Sequence, residues 1–150
     1  MDVYSQTVTN NALAAATAET VVQLVTAATE RIQITSITIA FDGTSSTAEP
    51  VDVFLVTQDT AGTSSAGTIG KLDAAAPTAQ TTSRITFTAE PTTDSNEIWR
   101  TMIHPQGGIY EKNWALGDAT APKIAVSSRV GLKMNAPAAV NTSVTIQWVE

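Results

Sequence analysis

The chain has no cysteine. That excludes a disulfide framework, a thiolate nucleophile and thiolate metal sites. It has one histidine, His104, so the usual zinc ligand sets cannot be assembled either. Charge is sparse. Asp, Glu, Lys and Arg make up 15% of residues, against about 25% in ordinary soluble domains. The Lys and Arg residues number only 8 and are scattered. Nucleic acid is held by clustered cations that neutralise phosphates, so no nucleic-acid partner is expected, nor an anionic membrane surface. No apolar run approaches the roughly 18 to 20 residues of a membrane span. The opening MDVYSQTVTNNALAAATAET lacks a basic start followed by an apolar core, so it does not read as a secretory signal, and folding in a cytoplasm is expected.

Thr, Ser and Ala fill the space left by charge. The net charge is −6 and the pI about 4.6. Thr suits exposed strand positions, so a Thr-rich β surface explains the composition. Coverage by other subunits explains it equally, because charge is depleted at the centres of interfaces. A length of 150 residues fits one domain with a substantial core.

Period-2 alternation dominates the chain. In VDVFLVT, Val51, Val53 and Leu55 share one face, while Asp52, Phe54 and Val56 share the other. Both faces are largely apolar, so the strand is expected to be covered on both sides. RITFT sets Ile85 and Phe87 against Thr86 and Thr88. IAVSSRVGLKM is the longest such pattern, with Ile124, Val126, Val130, Leu132 and Met134 on one side. VTIQWVE closes the chain with Val144, Ile146 and Trp148 inward. The run from Arg31 to Phe41 breaks phase: Ile32 and Ile34 are even, Ile37, Ile39 and Phe41 odd. A bulge near Thr35 and Ser36 would restore one inward face, the alternative being a strand that changes sheets. Residues 98–104 and 109–116 read as less regular strands. Residues 61–79 read as a long excursion between strands. NALAAATAETVVQLV has enough Ala for a helix, but its β-branched residues favour a first core strand over residues 20–26.

Turn clusters such as DGTSS, AEPTTDSN, HPQGG and NAPAAVN separate these runs. The expected fold is therefore all-β: a single β-sandwich of about eight antiparallel strands over residues 19–150, preceded by an extended N-terminal arm over residues 1–18.

Catalytic patterns are missing. GTSST and GTSSA each lack the closing Gly of a nucleophile elbow. TSSAGTIGKL has Ser65 and Leu72 where a phosphate loop needs Gly and a hydroxyl. DGTSST lacks the spacing of a calcium loop. No pair of carboxylates can be placed across a cleft from sequence, as a glycosidase would need. No enzyme activity, metal or cofactor is expected, and His104 reads as a turn or contact residue. Asn141-Thr142-Ser143 matches a glycosylation sequon, a frequent accident in a cytoplasmic chain.

ETVVQLVTAATERIQITSITIAFDGTSSTAEPVDVFLV, RITFTAEPT, IHPQGGI and RVGLKMNAPAAVNTSVTIQWVE resemble segments of small structural proteins encoded by tailed phages and prophages. The resemblance runs from about Glu19 to the end, with FDGTSSTAEPV, HPQGG and NAPAAVN as its markers. It implies a virion protein with a jelly-roll β-sandwich that decorates, or cements, the outer capsid surface. The implied partners are the major capsid protein and further copies of the chain, commonly as a homotrimer. The implied location is the virion, after assembly in the host bacterial cytoplasm. An acidic chain suits the outside of a capsid better than its DNA-facing inside.

Candidate contact residues on this reading are Val3, Tyr4 and Thr7 in the arm, Asp42, Thr44, Ser45 and Glu49 in the first marker, and His104 and Gln106 in the second. An arm of this kind can add a strand to a neighbour's sheet edge. The rival reading is a receptor- or carbohydrate-binding module of a phage tail or fibre, which expects exposed aromatics at Trp99, Tyr110 and Trp114. A ring-forming head–tail connector or tail-tube protein is a further alternative.

Overall fold

Runs rich in Ile, Val and Thr favour the pleated backbone, and the computed structural model, which describes residues 1–150, is built of twelve strands without a helix. In chain order they are β1 (Val3–Leu13), β2 (Ala18–Val25), β3 (Ile32–Phe41), β4 (Val51–Gln58), β5 (Thr63–Ala66) and β6 (Ile69–Lys71). There follow β7 (Thr82–Ala89), β8 (Thr93–Ile103), β9 (Tyr110–Asn113), β10 (Lys123–Ile124), β11 (Arg129–Asn135) and β12 (Val140–Val149).

Two antiparallel six-stranded sheets pack as a sandwich. One runs β6-β1-β12-β3, and the far edge of β3 is completed by β9 and then β10. The other runs β5-β7-β2-β11-β4-β8. Without β10 and the inserted β5 to β7, the orders β1-β12-β3-β9 and β2-β11-β4-β8 remain. That is the pairing order of an eight-stranded jelly roll. All eight strands expected from the sequence are present, RITFT as β7 among them; the further ones are β1 from the expected arm, the short β5 and β6, and β10, which is split from the run ending in β11.

The inward faces form one apolar core. Val51, Val53 and Leu55 of β4 face Ile37 and Ile39 of β3 and Val144, Ile146 and Trp148 of β12 across it. On the outer face of β4 Val56 is buried, at 5% exposure, but Asp52 and Phe54 are only half-buried, so that face is covered in part and not fully as expected. The expected bulge in β3 is present. Ser36 pairs with Gln147 and Ile34 with Trp148, which leaves Thr35 as the extra residue and keeps all four isoleucines buried.

Three expectations are corrected. The N-terminal segment is extended but is not a free arm: residues 3–13 pair with residues 140–149, and β1 is an interior strand between β12 and β6. Its alternating Tyr4, Gln6 and Val8 are buried, and that burial holds it in the sheet. The run from Ile124 to Met134 is not one strand. It breaks at Ala125–Ser128, where Ser127 takes a φ of 53° and Val126 is left exposed. The excursion at 61–79 contains β5 and β6 and carries the chain from one sheet to the other, closing part of one side of the sandwich. Gly67 sits at that crossing because a Cβ there would collide with the side chains of Gln6 and Ser83. On the opposite side Trp99 of β8 closes the gap against Tyr110 and Trp114, with ring centroids 6.0 and 6.2 Å away.

Candidate functional site

The jelly-roll order brings four connections to one end of the sandwich: the β1–β2 turn, the β3–β4 loop, the β8–β9 turn and the β11–β12 loop. The last three carry FDGTSSTAEPV, HPQGG and NAPAAVN, which are far apart in sequence.

Side chains and backbone lock these loops together. Asp42 Oδ1 accepts the Asn141 N–H at 2.9 Å, and Oδ2 accepts Asn141 Nδ2 at 2.7 Å. Asp42 N–H returns a bond to the Asn141 carbonyl at 3.2 Å. The Asn141 side-chain amide and then its backbone N–H hold the Asp42 carboxyl below its ordinary value, because both bond the ionised form. Gln106 Nε2 donates to the Thr44 carbonyl at 3.0 Å. Gly43 lies directly on Pro105: a Cβ at Gly43 would stand 2.7 Å from Pro105 Cβ. The β1–β2 turn joins the cluster where Ala16 N–H donates to the Ala136 carbonyl at 2.7 Å.

A cleft of about 230 Å³ lies between Asp42–Glu49 on one wall and Pro105 with Pro137–Val140 on the other. Its lining is mostly small: Gly, Ser, Thr, Ala and Pro, with Asp42 and Glu49 the only charges. Thr44, Ser45 and Glu49 are exposed, and Ser45 and Thr47 share a hydroxyl hydrogen bond at 3.2 Å. His104 Nδ1 accepts the Gln106 N–H at 3.1 Å and has no hydroxyl or carboxylate bonded to its ring. The geometry offers neither an activated nucleophile nor a group of carboxylates and histidine placed to hold a metal. It offers a surface of mostly small side chains, with Asp42 and Glu49 as its charges, on which another backbone can come close.

Of the predicted contact residues, Asp42, Thr44, Ser45, Glu49, His104 and Gln106 meet at this end. Val3, Tyr4 and Thr7 lie elsewhere, along β1. Tyr4 is 1% exposed, stacks on Trp148 at 6.1 Å between centroids and donates its hydroxyl to the Pro77 carbonyl. It is a core residue and has no free face for a partner. Thr7 is exposed and shares a 3.0 Å hydroxyl bond with Thr145. Asn141, Pro105 and Pro137 belong to the site although sequence reading did not single them out as contact residues and noted Asn141 only for its sequon. The only signal for them was their place inside two marker stretches. Trp114 is buried and Trp99 and Tyr110 are half-buried against it, so these aromatics do not form an exposed platform.

Comparisons with protein-family models, with curated proteins and with solved structures give no match to this chain.

Proposed function

We propose that this protein is a structural component of a tailed-phage particle that decorates the outside of the capsid and bridges major capsid subunits, acting as a homotrimer. The observation that carries the reading is the meeting of FDGTSSTAEPV, HPQGG and NAPAAVN in one locked cluster at one end of the sandwich. The stretches that resemble phage structural proteins are the ones that build the charge-poor surface. The mechanism is passive. Each copy buries small and apolar surface against shell subunits, and joining copies multiplies weak contacts through effective concentration. A shell so bridged resists internal pressure because opening it breaks many contacts together.

The test has two stages. Light scattering of the purified protein reads its mass, and a trimer is expected. Empty capsids are then titrated with the protein and with a Ser45→Lys/Glu49→Lys variant. Both positions are exposed and lie outside the Asp42 lock, so the fold should be untouched. The variant should lose most of its occupancy on particles. Full occupancy by the variant removes the loop end as the contact, and no binding of the parent protein to capsids sinks the reading.

A further inference from the structure

Asp42 is the one aspartate of the chain that is followed by glycine, and no asparagine is. Asp-Gly is, with Asn-Gly, the dipeptide most prone to backbone isomerisation. The amide nitrogen after the acid attacks the side-chain carboxyl carbon and closes a five-membered ring, and a residue without a Cβ obstructs that attack least. The packing of the loop end demands this glycine. A Cβ at Gly43 would stand 2.7 Å from Pro105 Cβ and 2.9 Å from the Pro105 carbonyl oxygen. A larger residue would slow the ring closure, but it would also push HPQGG away from the β3–β4 loop.

The hazard is held off by hydrogen bonds. Oδ1 of Asp42 accepts the Asn141 N–H at 2.9 Å and Oδ2 accepts Asn141 Nδ2 at 2.7 Å, so both oxygens are engaged by one residue. Asn141 is itself fixed, because it lies in β12 and pairs with Ala12 of β1. Its two bonds keep the carboxyl ionised. An ionised carboxyl resists attack, since an oxygen leaving it would carry the charge away. The nucleophile has no comparable restraint: the Gly43 N–H donates to no group of the chain. Asp42 is exposed, so water reaches it. No Lys, Arg or His lines the cleft to take over the carboxylate if Asn141 lets go.

We propose that Asp42 is a self-modification site that converts to isoaspartate from the state in which its bonds to Asn141 are open, so that the modified fraction grows with the time the loop end spends open. In that state the carboxyl takes up a proton. The Gly43 nitrogen bonds to Asp42 Cγ and gives its proton to water, and the carboxyl hydroxyl leaves as water. A second water then opens the ring. Addition at Cγ breaks the new bond and restores aspartate. Addition at the main-chain carbonyl breaks the original peptide bond, and the chain then continues through Cγ. One water is lost and one regained, and nothing is oxidised or reduced. The product carries its carboxylate directly on Cα and one more methylene in its backbone. The carboxylate and Gly43 then no longer fit Asn141 and Pro105 together, so the lock guards itself while closed and stays open once lost. The proposal holds whatever the loop end touches.

The test ages the full chain for weeks at neutral pH, folded in buffer and unfolded in guanidinium chloride. Isoaspartate is counted by methyl transfer from labelled S-adenosylmethionine with an isoaspartyl methyltransferase, and placed in the chain by tandem mass spectrometry. The unfolded chain should gain it at residue 42 ahead of every other position. The folded chain should gain it there at least about tenfold more slowly, the scale of one hydrogen bond to a charged group. Folded Asn141→Ala should lose most of that protection. Asn141→Ser keeps the backbone bond but not the side-chain amide, and should fall between the two. If Asn141→Ala does not fold, Asn141→Ser carries the comparison and should exceed the parent. Equal rates in the folded parent and the folded variants overturn the proposal. So does a folded parent that reacts as fast as the unfolded chain, or an unfolded chain that gains no isoaspartate at residue 42. Modified protein whose Asn141 amide signals keep their native positions also overturns it, because the lock then survives the change.

Discussion

Asp42 is the residue on which the loop end turns. Its carboxylate joins two loops that are 99 positions apart in the chain. Because Asn141 bonds its ionised form, its pKa in the folded state lies below the ordinary 3.8. A depressed carboxyl contributes stability that is present above the unfolded pKa and is lost as pH falls through the folded one. The loop end should therefore be closed at neutral pH and open progressively below about pH 4. The Asn141 backbone and side-chain amide signals report it directly: both should titrate together, with a midpoint below 3.8. Asp42→Asn should remove that transition and raise the opening of this end at neutral pH, while the strands keep their slow amide exchange. Asn141 amides that do not respond to acid would leave the lock without a role.

Among the elements, β3 shows how much of the fold is written locally. Its isoleucines change from even to odd positions, and only an extra residue lets both sets face one core. The structure puts that residue at Thr35. The long alternating strands β4, β11 and β12 were legible for the same reason, since burial on one face imprints a period of two. β5 and β6 were not. They are four and three residues long and mostly exposed, so no apolar rhythm marks them. Nor does sequence reveal the left-handed turns at Asn10 and Thr86, because neither is Gly. The three marker stretches could each be read as a loop. Their meeting depends on strand order, which alternation does not encode.

The crossing between β5 and β6 rests on Gly67, packed against the buried bond from Ser83 Oγ to Gln6 Oε1. Gly67→Ala should cost about 1 to 3 kcal/mol by overpacking, read as a lower urea midpoint with an unchanged slope. A neutral result would mean that the crossing shifts freely and does not close that side of the sandwich.

Across the whole molecule, the placement of charge decides what kind of contact it can make. The net charge is −6, yet much of the acidity is engaged by the chain itself. Asp94 is bonded by Thr57 and Asn96, Asp118 by Thr120, and Asp52 and Glu97 are paired with Arg100. Glu150 loses water by burial, but hydrogen bonds from Gln80, Thr81 and Trp148 outweigh that and keep its pKa low. At the loop-end cleft, Glu49 is the one carboxylate not bonded within the chain, among Thr, Ser, Ala and Pro. A contact made by such a surface draws on shape and apolar burial, which salt does not screen, while exposed charge pairs weaken once the Debye length falls to about 10 Å and below. Occupancy on empty capsids should therefore change less than about twofold as salt rises from about 0.05 to about 0.5 M. A steep fall with salt would move the contact off the loop end and onto the carboxylate-bearing faces of the sandwich. The proposed bridging would then depend on electrostatic pairing with a basic shell, a different mechanism from the close, neutral apposition that this end of the molecule is built to make.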